Sequence, residues 1–318
     1  MTESPAPSLA RILSQARPNR RVDGTTAIET GNRKRTTIVR FVDDDPVVVQ
    51  QTADPAVART EARLIAAIAE RTSVPVAAVL ASGTDSGEGW LVTSLVAGND
   101  LHEQFVGLTT AVQRRLATAF GQHLAELHDA FRFDSYGPVG LEHGRLNAGQ
   151  QHSSSADWQD WFVEFAATKI ARLPAAFDSI RPRLREVVRG EMGDSPPPRL
   201  FPWDLRPGNA LVDDGQLTAL VDWEGSLAAA PALSVAKTEY LIADWYVPPE
   251  QATLLREAFR AGYRSVSSLP VVRPAHRVAA VADAAVDSRG TVTTPRYPPV
   301  DREAAVTFHR RALERVLR

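Results

Sequence analysis

The chain has 318 residues, 44% apolar and 23% charged, which suits a soluble two-domain or bilobal protein with a sizeable core. A formal net charge of -2 lacks the basic excess that a nucleic-acid partner demands, and the absence of cysteine removes disulfides, thiolate metal sites and cysteine nucleophiles. No apolar run approaches the roughly 18 residues of a membrane span, and residues 1–7 lack the basic and apolar regions of a signal peptide, so a cytoplasmic protein with no membrane partner is expected. Arginine carries nearly all the positive charge. The three lysines, Lys34, Lys169 and Lys237, limit where a catalytic lysine can be.

In chain order, a short helix over 9–15 is followed by a hairpin, 25–30 and 36–41, that turns at Gly31-Asn32. Val47-Val48-Val49 opens a third strand. Asp54-Pro55 is a helix start, an N-cap acid before a first-turn proline, and the helix runs to about Arg71. Residues 74–80 and 89–93 read as two more strands joined by a turn over 83–88. A boundary falls near 94–99, giving an N-terminal lobe over 1–96 and a C-terminal lobe over 97–318. The second lobe reads as mostly helical: 110–128, 158–173, 181–189, about 235–245, 249–263, 274–286 and 302–317. A proline-rich loop covers 291–300.

The chemistry concentrates in Phe201-Pro202-Trp203-Asp204-Leu205-Arg206-Pro207-Gly208-Asn209, the apolar hairpin after it, and Val221-Asp222-Trp223-Glu224. Asp214-Gly215 between apolar runs marks a tight hairpin. An uninterrupted ladder from that turn pairs Asn209 with Leu220 and sets Asp222 two residues further on the same face, within reach of one shared ion. An amide oxygen and a carboxylate suit a hard cation such as magnesium. Asp204, in the preceding loop, is placed to accept a proton from a substrate hydroxyl. The competing reading makes Asp204 and Asn209 ordinary turn residues around Pro207-Gly208.

These segments resemble the catalytic loop and metal strand of the aminoglycoside phosphotransferase and choline kinase-like family, whose pattern is His-Gly-Asp-Leu-His-Pro-Gly-Asn, a hairpin, then Ile-Asp-Trp/Phe-Glu. The resemblance implies a bilobal α+β protein-kinase-like fold, with a small β-rich N-lobe holding one main helix and a larger, mostly helical C-lobe. It implies a small-molecule kinase that uses magnesium and ATP or GTP, with a nucleotide and a small hydroxylated acceptor as partners. Asp204 then becomes the catalytic base, Asn209 and Asp222 the metal ligands, and Arg206 and Glu224 substrate-side residues. Thr30-Gly31-Asn32-Arg33 looks like the nucleotide-covering turn, Arg59-Thr60-Glu61-Ala62 like the small-lobe helix segment, and the stretch holding Ser94 and Val96 like the adenine-contacting link. Leu124-Ala125-Glu126-Leu127-His128 looks like the family's Leu-His helix end.

Three positions depart from that pattern. Pro202 replaces the motif histidine, Arg206 replaces the second histidine, and Gln50 stands where the third strand should carry a phosphate-binding lysine. Glu61 lies at helical spacing from Leu64, Ile65 and Ile68, on the apolar face, and a buried carboxylate requires a partner. Lys34 or Arg40 is expected to supply that cation in place of the missing strand lysine. The losses at Gln50 and Pro202 also keep open a nucleotide-binding pseudokinase with a regulatory role. Metal-dependent hydrolysis is disfavoured, because no further histidine or carboxylate is suitably spaced. His123 and His128 read as ordinary helix residues, and Trp158, Trp161, Phe162 and Phe165 as a packing stripe.

Overall fold

The computed structural model describes residues 7–28, 34–149, 155–190, 195–295 and 298–318. Helix α1 (Pro7–Ala16) leads into β1 (Val22–Ile28), β2 (Arg35–Phe41), β3 (Val47–Thr52), helix α2 (Pro55–Arg71), β4 (Val79–Asp85) and β5 (Glu88–Ser94). These five strands form an antiparallel sheet in the order β1-β2-β3-β5-β4. After the link come β6 (Asn99–Asp100), α3 (Leu101–Gln104), α4 (Thr110–Ala130), β7 (Gly137–Glu142), β8 (Arg145–Ala148), α5 (Trp158–Arg172) and α6 (Arg181–Gly190). Then follow β9 (Arg199–Phe201), β10 (Ala210–Asp213), β11 (Gln216–Leu220), β12 (Leu227–Ala229), α7 (Pro231–Glu239), α8 (Pro249–Arg264), α9 (Pro274–Ala284) and α10 (Arg302–Val316).

Strand alternation decides what each face of the five-stranded sheet meets. Val47, Val49 and Gln51 are buried while Val48, Gln50 and Thr52 are half-buried. The first face joins Val39, Phe41, Trp90 and Val92 in packing against Leu9, Ile12 and Leu13 of α1. On the other face, Leu91 packs with Leu64, Ile65 and Ile68 of α2. Helix α2 begins as the Asp-Pro pair predicts: the Asp54 carboxylate accepts from the Ala56 amide at 2.8 Å, with Pro55 in the first turn. Just past its end, Ser73 donates to the Glu126 carboxylate of α4 through both its amide and its hydroxyl, so the small lobe is fastened to the large one.

The fourth strand differs from expectation. It starts at Val79, and the turn to β5 is only Ser86-Gly87, both left-handed at φ 51° and 85°. Pro75 has no amide to give a ladder. Its carbonyl instead accepts from the Leu220 amide at 2.8 Å, tying residues outside the sheet to the end of β11. The large lobe also holds a hairpin, β7–β8, that the helical reading passed over. Its turn is His143-Gly144, again left-handed at both positions, φ 48° and 76°.

Helices α4 and α8 cross through facing glycines. A Cβ on Gly121 would lie 2.0 Å from the Phe259 carbonyl oxygen, and one on Gly262 would lie 2.0 Å from that of Thr118. Helix α7 begins earlier than expected, at Pro231, and its continuation over Tyr240–Asp244 widens into a π turn. Three histidines are sealed in this lobe. His128 bonds to Tyr263 and Ser234, His309 to Tyr240, and the Nδ1 of His276 accepts from the Arg273 amide. Among the described residues no helix is long and apolar enough to cross a membrane.

Candidate active site

The loop after β9 turns sharply at Trp203, which takes a left-handed φ of 46°, a strained conformation for a bulky residue. This turn delivers Asp204, whose side chain is 36% exposed. Five residues on, buried Asn209 donates its amide Nδ2 to the Asp204 carbonyl at 3.0 Å, so the far end of that amide presents an oxygen. The hairpin closes at Asp214-Gly215 as expected, with Asp213 opposite Gln216. The ladder then slips by one residue between Leu211 and Val212, so Ala210 faces Leu220 and the Val221 amide donates to the Asn209 carbonyl at 2.9 Å. Asn209 therefore sits across from Val221, not Leu220, and Asp222 comes immediately after. The same-face argument does not hold, because Asp222 has left the strand at φ 63° and its direction no longer follows alternation.

Asp222 does meet a cation. The Lys34 Nζ lies 2.8 Å from Asp222 Oδ1, 2.8 Å from Glu61 Oε1 and 3.3 Å from Glu224 Oε2. Lys34 stands just before β2. The β2–β3 register sets Thr36 opposite Gln50, so alternation puts Lys34, Thr36 and Gln50 on one face of the sheet. Glu61 is 3% exposed, which rules out a solvent-reaching position at the helix edge. Its Oε1 also accepts from the Trp223 amide at 3.1 Å. Burial lifts the Glu61 carboxyl above the usual range against the pull of Lys34. Burial alone would lower the Lys34 ammonium, but Glu61, Asp222 and Glu224 outweigh it and the group is raised. Arg40 is not the partner. It is exposed and reaches Thr26 Oγ1 at 3.0 Å.

Asp204 has its own lysine. The Lys237 Nζ on α7 lies 2.8 Å from Asp204 Oδ1 and 2.5 Å from Asp283 Oδ2 on α9, and Lys169 of α5 reaches Asp283 Oδ1 at 2.6 Å. The Trp203 ring covers both ammoniums, 4.6 Å from Lys237 and 4.1 Å from Lys169. Burial would raise the Asp204 carboxyl, but Lys237, Arg206 and Lys169 together hold it below the usual range.

The other expected site residues are placed as follows. Ser94 ends β5, its hydroxyl oxygen accepting from the Ala78 amide at 3.0 Å, and half-buried Val96 follows in the link. That link is docked onto the hairpin by Thr218, whose hydroxyl donates to the Ala97 carbonyl at 2.8 Å, and by Gly98, where a Cβ would sit 2.6 Å from Thr218 Oγ1. Arg206 lies over the Trp245 ring, 5.8 Å from its centroid. Gly31 and Asn32, together with Thr30 and Arg33, lie outside the described residues.

A profile of the phosphotransferase enzyme family matches residues 24–274, which span the five-stranded sheet but for the first two residues of β1, the Asp204 loop and Asp222. The chain belongs to that family. This phosphotransferase also matches solved structures along nearly its whole length. A thermostable mutant of aminoglycoside phosphotransferase APH(4)-Ia, in ternary complex with AMP-PNP and hygromycin B, is 15% identical with a TM-score of 0.63, and 98% of each chain is covered. A protein assigned as a fructosamine-3-kinase from Thermobifida fusca YX-ER1 is 19% identical with a TM-score of 0.61, covering 98% of this chain and 100% of its own. One assigned as an aminoglycoside phosphotransferase from Ralstonia eutropha JMP134 is 16% identical with a TM-score of 0.66, covering 98% and 96%. No match to a curated protein was found. At these identities the structures establish the fold, which is the bilobal kinase-like one, and the family match establishes a small-molecule phosphotransferase.

Lys169 and Lys237 stood out from the sequence of this phosphotransferase only as two of its three lysines, with no role assigned, and Asp283 did not stand out at all. A signal existed. All three lysines of an arginine-rich chain end at the two carboxylates the motif highlights, or at the network behind one of them. Two of them, Lys169 and Lys237, sit on helices among residues such as Phe162, Ala166, Ile170, Leu233 and Leu241. A lysine among such neighbours requires a buried carboxylate.

Proposed function

We propose that this phosphotransferase moves the terminal phosphoryl group of ATP or GTP to a hydroxyl of a small molecule, with Asp204 as the base. The observation that carries the reading is the Lys34 ammonium bridging Glu61 and Asp222 at 2.8 Å each. A cation on the face of the sheet that carries Gln50, which provides none, supports an active enzyme over a degenerate, regulatory reading. The acceptor oxygen attacks the terminal phosphorus, the bond from that phosphorus to the bridging oxygen breaks, the nucleoside diphosphate leaves, and the acceptor's proton passes to the Asp204 carboxylate. Lys237 and Arg206 keep that carboxylate ionised and ready to accept.

The donor set suits magnesium. Glu61, Asp222, Glu224 and Lys34 together carry a formal charge of -2, which one divalent ion would balance. The described residues form no cage of three or more His, Asp or Glu open to a metal. Magnesium ordinarily takes one or two carboxylates and completes its shell with water and phosphates. Asp222 and Asn209 would hold it, and when bound it would supply charge neutralisation on the phosphates. In the same reading Lys34, steadied by Glu61, faces the nucleotide phosphates, with Gln50 beside it on the same face. The link at Ser94 and Val96 receives the base, and Gly31-Asn32 covers the phosphates. Arg206 and Glu224 flank the reacting groups.

The test is a screen of hydroxylated acceptors, including amino alcohols, sugars and aminoglycosides, for phosphate transfer from labelled ATP and GTP with magnesium. Transfer that disappears in Asp204→Ala supports the reading. Nucleotide binding without any Asp204-dependent transfer would replace it with a regulatory role.

A further inference from the structure

The transfer chemistry needs Asp204 but does not by itself need what stands behind it. Lys237 is 2% exposed, and a buried ammonium is costly unless paired. Asp283 alone would pair it, at 2.5 Å, and Asp283 also takes Lys169. The further contact, to Asp204 Oδ1 at 2.8 Å, links this sealed pair to a carboxylate that is partly open to solvent and could have been satisfied by water. A network drawn from three helices, α5, α7 and α9, thus reaches one oxygen of the loop aspartate through Lys237. Trp203 closes over the two ammoniums from the loop itself, in a strained left-handed turn that this stacking offsets. The backbone of Asp204 is fixed as well, its amide donating to the Pro202 carbonyl at 2.6 Å and its carbonyl accepting from Asn209. Two aspartates and two lysines leave the group formally neutral, so nothing in it calls for a further ion.

We propose that Lys237 is a positioning residue for Asp204. Its ammonium, anchored from behind by Asp283 and screened from water by Trp203, immobilises Oδ1 so that the other oxygen is held toward the acceptor hydroxyl. The proposal rests on the reading of Asp204 as the base.

The experiment measures Mg²⁺-ATP hydrolysis, with water standing in for the acceptor, in full-length protein. Turnover is expressed per ADP-binding site titrated, so molecules that fail to fold are not counted. Lys237→Met is compared with Lys169→Met/Lys237→Met/Asp283→Leu, which removes every buried charge behind Asp204 together, and with Asp204→Ala. A positioning role predicts that both Lys237 variants lose turnover about a hundredfold with the KM for ATP unchanged, and that the triple variant recovers melting temperature without recovering turnover. Turnover that returns along with melting temperature, or that never falls in Lys237→Met, overturns the proposal and makes the cluster a packing device. If Asp204→Ala itself hydrolyses ATP at the wild-type rate, the reading of Asp204 as base fails first and takes the proposal with it.

Discussion

The two lysine clusters of this phosphotransferase meet the two ends of the same segment, Lys237 at Asp204 and Lys34 at Asp222, and they are built to opposite charge rules. Around Lys34, three carboxylates face one ammonium, an arrangement left with formal negative charge and assembled from the residue before β2, from α2 and from the residues after β11. Around Lys237, two aspartates and two lysines cancel, and every helical member comes from the interior of the large lobe. The first arrangement suits a site that must admit a cation and phosphates. The second suits one that must not change when they arrive. Placement shows the same division: Lys34 stands just before a strand of the sheet, whereas Lys237 lies on a helix whose residues from Ala232 to Glu239 are all buried.

The comparison can be broken most severely at Asp204. Asp204→Ala should lower acceptor phosphorylation by about 10²–10⁴-fold, the usual worth of a positioned base, while ADP binding measured by calorimetry persists. Loss of ADP binding instead would mean that the two clusters are not separable. Lys34→Met comes next. It leaves Glu61 buried without its cation, which should cost about 3–5 kcal/mol of unfolding free energy in a denaturant titration. No change there would mean that Glu61 finds water or another partner.

Acid brings in a third set of buried groups, the histidines of the large lobe. His128 is held down to about 3, and His276 and His309 to about 4, chiefly because burial disfavours their charged forms. All three are neutral when folded but take up protons when unfolded, near their ordinary pKa of about 6.5. Stability is therefore fully present above that value and falls as the pH drops toward about 4. With about 1.4 kcal/mol per pH unit for each group, chemical denaturation between pH 6 and 4.5 should lose about 4 kcal/mol per unit. A flat profile would show that these rings protonate in place. The smallest expected effect is at the helix crossing. Gly262→Ala must push α8 from α4 and should cost about 1–3 kcal/mol, seen as a lower melting temperature with the KM for ATP unchanged.

Local chemistry was readable directly from the chain. Asp54-Pro55 opened α2, Asp214-Gly215 closed the hairpin, and the spacing of Glu61 from Leu64, Ile65 and Ile68 put a carboxylate inside. Its cation could be narrowed to two residues but not chosen, because alternation puts Lys34 and Arg40 on the same face and the choice depends on which end of β2 lies against Glu61. What escaped depended on distant parts of the chain meeting. The slip in β11 leaves Thr218 out of the ladder, and its hydroxyl is used on Ala97, more than a hundred residues earlier. No local pattern encodes that docking. Residues 74–78 looked like a strand because they are apolar, yet Pro75 turns its carbonyl to Leu220 instead of joining the sheet. Lys169, Lys237 and Asp283 lie on three separate helices, so their meeting is a property of the packed lobe.

The central claim is that Lys34, and not a residue of β3, supplies the nucleotide-binding ammonium. Calorimetric titration of Mg²⁺-ATP into wild type, Lys34→Met and Gln50→Met tests it most directly. The account predicts at least about a tenfold loss of affinity for Lys34→Met, the worth of about 1.4 kcal/mol of charge-assisted contact, and little change for Gln50→Met. Equal affinity in wild type and Lys34→Met, or a loss confined to Gln50→Met, would contradict it.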